Sequence, residues 1–364
     1  MKDLFEKTKI KNLEVKNRFI RAATWDEMAE DNGHINEGVM ERYENIAKGG
    51  VGLILTGYAF ISKGEQPNPR MFGIYDDSFI EEYKILVDKV HKHESKIAMQ
   101  IVYGGSQSDH PGASGMNIYG PSAVKNIVTG ITPKEATKED IKAIVKKFGD
   151  AALRVKKAGF DAVEIHAAHG YLLSQFLTPY YNTRRDEYGG DIHNRARIIY
   201  EVIKEIRKRV GDNYPIMIKI NFDDLMEKNP GLTKEESIEV FKEMDKLGID
   251  MIEPSAANLS SGEGQTASIK GVNTIEKQSY FRASAMNIAR QVKAKVILVG
   301  GNKNINLMDE ILNTTDIEYF SLSRTILCEA DLINKWVDNK DYKPKCISCN
   351  KCWDVVPNSC IFNR

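Results

Sequence analysis

The chain has 364 residues, 42% apolar and 28% charged, with 51 basic residues against 51 acidic ones. That length suits one large α/β barrel of about 250 residues with insertions, or two smaller domains. A formal charge of zero speaks against a nucleic-acid or anionic-membrane protein, which usually carries a basic excess, and the recurring apolar runs exclude a disordered chain.

Short β-branched runs alternate with amphipathic stretches. The expected strands are Arg18–Thr24, Val51–Tyr58, Lys96–Val102, Asp161–His166, Tyr214–Ile220, Ile249–Glu253, Lys295–Val299 and Ile317–Leu322. Helical stretches fall between them at Lys138–Ala158, Asn194–Val210, Lys234–Leu247 and Asn304–Asn313; in the first, Ile141, Ile144, Val145, Phe148, Ala151 and Ala152 recur at helical spacing. Eight strands, each followed by a helix, predict a (β/α)8 TIM barrel over residues 1–338, with a short cysteine-containing C-terminal tail over 339–364. A doubly wound sheet would need a glycine fingerprint in its first βα turn. Gly262-x-Gly264-x-x-Ala267 fits that pattern only in letters, because it lies in a Ser/Asn/Gly-rich loop with no helix behind it.

In a barrel, chemistry belongs at the C-terminal ends of the strands, and long loops there are usually functional. The two longest are 103–137 and 167–192. No run approaches the ~20 apolar residues of a membrane span, and the charged start (Met1 to Lys7) lacks a signal-peptide core, so a cytoplasmic protein is expected. Four of the five cysteines, Cys346, Cys349, Cys352 and Cys360, crowd the C-terminus. Such clustering suggests a metal or cluster site in a reducing compartment, not a disulfide framework.

The fourth strand ends in Glu164-Ile-His166-Ala-Ala-His169-Gly-Tyr171. Two histidines and a tyrosine at a barrel mouth are a dense set of donors and acids. The alternative is one core histidine and one exposed one, and a metal reading has no third ligand nearby. The run continues through Asn182-Thr-Arg-Arg-Asp-Glu-Tyr-Gly-Gly190 to His193-Asn-Arg195. Over these thirty residues the chain resembles the signature of the Old Yellow Enzyme family of FMN-dependent oxidoreductases, which includes 2,4-dienoyl-CoA reductase-like and trimethylamine dehydrogenase-like members. The resemblance extends to Lys16-Asn17-Arg18 on the first strand and Gly49-Gly50-Val51 at the second.

That resemblance implies a role for each matching residue. Gln100 would bond the flavin pyrimidine edge. Gly300, Gly301, Ser323 and Arg324 would hold the FMN phosphate, where loops after strands seven and eight usually cradle one. Without the resemblance, Arg324 could be an ordinary surface arginine. Ala22, Ala23, Thr24, Trp25 and Tyr58 would line the cofactor. His166 and His169 would grip the oxygen of an activated alkene while Tyr171 protonates the α-carbon, after hydride from flavin N5 reaches the β-carbon. Three positions depart from the pattern. Lys219 stands where many members have an arginine, and could instead make a rim salt bridge. Trp25 takes the flavin-tuning position, or is a plain core tryptophan. Tyr103-Gly-Gly-Ser106 replaces an aromatic-His-Ala-Gly-Arg run.

The tail spacing, Cys-x2-Cys-x2-Cys-x7-Cys, resembles in shortened form the [4Fe–4S] motif of the dienoyl-CoA reductase-like branch. Three readings stand: a working cluster fed by a partner protein, a structural zinc, or thiols without metal. Cys328 lies outside the motif as a buried or rim thiol. The leading expectation is an ene-reductase that uses FMN and NAD(P)H on α,β-unsaturated carbonyl compounds. An amine dehydrogenase or demethylase, and a flavin electron-transfer subunit, are the rivals. An electron-donor protein and a homo-oligomer are the partner expectations left open, and with the sequence ending at Arg364 no second flavin domain is expected.

Overall fold

The computed structural model describes residues 1–108 and 117–364. Eight parallel strands form its centre: β1 (Phe19–Arg21), β2 (Leu53–Leu55), β3 (Lys96–Val102), β4 (Ala162–Ala167), β5 (Ile216–Asp223), β6 (Met251–Ala256), β7 (Lys295–Leu298) and β8 (Ile317–Leu322). Each pairs with its neighbours in sequence, and β8 pairs with β1, so the sheet closes on itself as a TIM barrel. The helices α1 (Glu37–Lys48), α2 (Ile80–His91), α3 (Lys138–Lys157), α4 (Arg197–Val210), α5 (Lys234–Lys246), α6 (Arg282–Ala289), α7 (Ile305–Thr314) and α8 (Leu332–Asp338) follow the strands in turn.

Local chemistry explains the helix boundaries. Thr137 caps α3 and Thr233 caps α5, each in a reciprocal capping box with Asp140 and Glu236 respectively. In α3, Ile141, Ile144, Phe148, Ala151, Ala152 and Val155 form one buried stripe against the sheet.

Period-two alternation sorts each strand between two environments. Val163, Ile165 and Ala167 of β4, with Ile216, Ile218 and Ile220 of β5, pack outward in the main core shared with the helices. Ala162 of β4, Met217 of β5, Met251 of β6 and Ala98 of β3 point inward, where they meet Ile10, Leu13 and Val15. Those three come from the N-terminal hairpin Thr8–Ile10/Leu13–Val15, which plugs the N-terminal end of the barrel. Fully burying one such aliphatic side chain contributes about 1.5–3 kcal/mol. Two residues further along each strand the inward face turns polar: Gln100, Glu164, Lys219 and Glu253 are all buried. The barrel is therefore oily at its N-terminal end and charged toward its C-terminal mouth.

The loop 103–137 lies partly outside the described residues. The loop 167–192 folds around the short helix Leu172–Leu177. Among the described residues no helix is long and apolar enough to cross a membrane.

Candidate active site

A cavity of about 510 Å³ opens at the C-terminal mouth. All three residues expected to be catalytic and all eleven expected to hold cofactor line it. Strand register explains this convergence. His166 on β4 is paired with Lys219 on β5 and Lys219 with Glu253 on β6, one rung of the inner face, while Glu164 and Gln100 form the rung two residues below it on β4 and β3.

Below the cavity, Lys219 Nζ donates to Glu253 Oε1 at 2.5 Å, and Gln100 Nε2 donates to Glu164 Oε2 at 2.7 Å. Burial and the neighbouring Glu253 push the Glu164 carboxyl up to about 8, against the opposing pull of Lys219 and Gln100. Glu164 Oε1 and Glu253 Oε2 have no hydrogen-bond partner. One cation serves two buried carboxyls, which favours one of them holding a proton.

Four rings cluster on one side of the cavity. His166 meets Tyr171 edge-on at 4.9 Å between ring centroids and His169 at 5.3 Å, while Tyr58 lies 5.6 Å from Tyr171. Burial pulls both imidazoles far down, His169 to about 3, with the Lys219 charge adding to the effect, so both rings are neutral near pH 7. The Ala168 N–H donates to His166 Nδ1 at 3.3 Å, which leaves the proton of that neutral ring on Nε2. His169 Nε2 lies 2.8 Å from Ser255 Oγ. His169 itself adopts φ +60, a left-handed conformation rare for a residue with a side chain, and Gly170 follows at φ +86. A Cβ on Gly170 would sit 2.9 Å from Gln107 Oε1. This turn swings His169 back over the barrel mouth.

On the opposite side Arg324 and Lys303 share one corner of the cavity. Burial lowers the Lys303 ammonium, and the Arg324 charge adds to that, a crowding of cations that suits a phosphate. Ser321 Oγ and Thr325 Oγ1 line the same cavity, buried without a hydrogen-bond partner. Gly300, at φ +110, lets the chain turn under the Tyr280 ring, 2.7 Å from where a Cβ would stand. Cations and orphaned hydroxyls at one end, with Gln100 and Lys219 at the other, fit FMN.

Several residues that carried the sequence signature serve the scaffold instead. Arg184 is clamped to both oxygens of Asp186 and to the Pro121 and Ala136 carbonyls. Asn182 holds the carbonyls of Phe176 and Tyr188, and Arg195 those of Leu177 and Gly190. Conversely, sequence reading missed Asn68, Gln107, Ser255, Asn258, Tyr280 and Lys303, all in the cavity wall. Only Ser255 left a signal, on the inner face two residues after Glu253.

The tail lies against this mouth. Cys346, Ser348 and Trp353 line the cavity, and Asn358 Nδ2 donates to the Trp25 carbonyl at 2.8 Å. All five cysteines are free thiols. Cys346 and Cys360 pack with Cys328, which the motif did not include, while Cys352 is buried and Cys349 half-buried. Among the described residues no three His, Cys, Asp or Glu side chains are arranged to hold a metal ion.

A closed barrel whose mouth gathers cations, unpartnered hydroxyls and neutral imidazoles has the lining expected of a flavin oxidoreductase. The profile of the NADH:flavin oxidoreductase / NADH oxidase family matches residues 3–342, and the chain belongs to that family. It is 32% identical to an NADPH dehydrogenase of Clostridium acetobutylicum over 89% of this chain and 91% of that one. It is 30% identical to an NADH oxidase of Thermoanaerobacter brockii over 96% of this chain and 53% of the relative. The chain thus spans about half the length of several curated relatives it matches. An Old Yellow Enzyme homologue from Zymomonas mobilis superposes with a TM-score of 0.77 at 21% identity, covering 95% of each chain, a likeness of fold.

Proposed function

We propose that the chain is an ene-reductase: it binds FMN, takes electrons from NAD(P)H or from a donor protein, and reduces the activated C=C bond of an α,β-unsaturated carbonyl compound. The observation that carries this reading is the pair of neutral imidazoles beside Tyr171. When bound, FMN supplies the hydride chemistry.

The protein's share is binding and polarisation. Arg324, Lys303 and the Gly300–Gly301 turn hold the phosphate end; Gln100 and Lys219 face the pyrimidine edge. His166 donates from Nε2 to the substrate oxygen, and His169 supplies the second donor. A preorganised donor of this kind is worth ~10²–10³ in rate, because it strengthens as negative charge develops on that oxygen. A neutral imidazole suits an enolate oxygen better than a cationic amine, which would want an aromatic cage. Tyr171 gives its proton to the α-carbon.

The test is the reoxidation of reduced, FMN-loaded protein by 2-cyclohexenone. His166→Ala with His169→Ala should slow it at least ~100-fold while FMN stays bound. An unchanged rate would overturn the oxygen clamp.

A further inference from the structure

After β2 the chain leaves the barrel, adds the short strands Ala59–Phe60 and Phe72–Gly73 beside the end of β3, and crosses the mouth between them. That crossing carries Asn68 into the cavity wall. Its position is held from both sides: Trp25 Nε1 donates to the Pro69 carbonyl at 3.1 Å, and the Ala29 N–H donates to the Arg70 carbonyl at 3.1 Å. Asn68 Nδ2 lies 3.0 Å from the Tyr171 hydroxyl oxygen and 3.3 Å from that of Tyr58. An amide nitrogen carries two hydrogens and accepts none, so Asn68 is the donor and the phenol oxygen of Tyr171 the acceptor.

We propose that Asn68 is a positioning residue for proton donation by Tyr171: its N–H fixes the phenol oxygen at the cavity wall and stabilises the phenolate left when the proton departs. This rests on the reading of Tyr171 as the proton donor. A hydrogen bond to an ionised oxygen is about twice as strong as one to a neutral oxygen. The Asn68 contact therefore favours the product side of the transfer, which is how a positioned group makes its neighbour a better acid. The step balances. The Tyr171 O–H bond breaks and a C–H bond forms at the α-carbon of the enolate left by hydride addition. That enolate becomes the saturated ketone, and water returns a proton to the phenolate. An opposite amide orientation, with Oδ1 toward Tyr171, would accept the phenolic hydrogen and hold it back from substrate.

The experiment compares Asn68→Leu, which removes the donor, with Asn68→Asp, which replaces it by an acceptor of similar size. In FMN-loaded protein reoxidation by 2-cyclohexenone should fall about tenfold in the first and further in the second, while reduction by NADPH slows less. The alkaline limb of the pH–rate profile should move up by about one pH unit in Asn68→Leu, a change that mere loosening of the pocket would not produce. In FMN-free protein labelled with 13C at tyrosine Cζ, the resonance absent from Tyr171→Phe should ionise at correspondingly higher pH in Asn68→Leu. Slowed reoxidation with neither the limb nor the resonance moved would overturn the proposal. Tyr171→Phe reoxidised at the wild-type rate would instead overturn the proton-donor reading beneath it.

Discussion

Lys219 on β5 and Glu253 on β6 form an ion pair at 2.5 Å, buried across one rung of the barrel. Lys219 also acts on Glu164, so a single ammonium serves two buried carboxyls at the floor of the cavity, and Glu164 is the one pushed toward holding a proton. Many family members place an arginine at this position, by the resemblance above. A lysine is a more compact charge than an arginine's planar fork, and here it is bonded directly to its own glutamate.

Lys219→Met should expose what that pair balances. It leaves Glu253 buried without its cation, which typically costs about 3–5 kcal/mol. Thermal unfolding of FMN-free protein should show the loss, larger at pH 8 than at pH 6, because lower pH lets the carboxyls take up a proton. Adding Glu253→Gln should recover most of it. A double variant no more stable than Lys219→Met would mean that the lysine acts through packing instead.

The raised Glu164 carboxyl gives stability a definite pH dependence. Its protonated form belongs to the folded state, so its contribution is full below the ordinary value of 4.5 and is lost as pH rises toward about 8. The histidines act in the opposite sense. Their neutral forms belong to the folded state, so their contribution is present above the ordinary value of 6.5 and is lost as pH falls, for His169 toward about 3. Glu164→Gln should flatten the decline in melting temperature between 4.5 and about 8, and leave the acid-side decline intact. An unaltered alkaline decline would place the titrating group elsewhere.

The strands were legible because each is covered on both faces, which writes them as apolar runs, and the inward polar residues stood out against that background. Their ends were less so. The first run was expected to continue to Thr24, yet β1 stops at Arg21: Ala22 makes a last bond to the Leu322 carbonyl, and Ala23–Trp25 leave the ladder to line the cavity. The N-terminal hairpin gave no signal, since Ile10, Leu13 and Val15 have an apolar surface to cover only once the barrel has closed. Asn68 was invisible for a related reason: its meaning comes from Tyr171, far along the chain, and nothing in its own neighbourhood announces a site. Arg184 and Asn182 made the family recognisable, yet their work is to hold the loop that carries the His169–Gly170 turn.

The cysteines give an outcome separable from the flavin chemistry. The motif spacing proposes Cys346, Cys349, Cys352 and Cys360 as ligands, whereas here Cys328 is packed with Cys346 and Cys360. A cluster would draw all four motif thiols to one centre. Protein purified without oxygen would then carry iron that Cys349→Ser and Cys352→Ser each remove and Cys328→Ser retains. Iron content equal in all four proteins would retire the cluster and leave the thiols as packed here.

The tail should matter to flavin binding whatever its metal content. Arg324 Nη1 donates to Asn350 Oδ1 at 2.5 Å and to the Ile269 carbonyl at 2.9 Å, while Asn350 Nδ2 donates to the Ser268 carbonyl at 2.6 Å. Asn350 thus ties the arginine of the phosphate corner to the loop across from it. Asn350 sits at φ +60, so Asn350→Gly removes the side chain without straining the backbone. Titration of FMN into cofactor-free protein should show affinity falling about tenfold in Asn350→Gly and about 10–100-fold in Arg324→Ala, the loss expected when charge-assisted hydrogen bonds to phosphate are weakened or removed. If Asn350→Gly binds FMN as tightly as the unaltered protein, Arg324 is held well enough by the barrel alone, and the tail contributes cavity wall without orienting the cation.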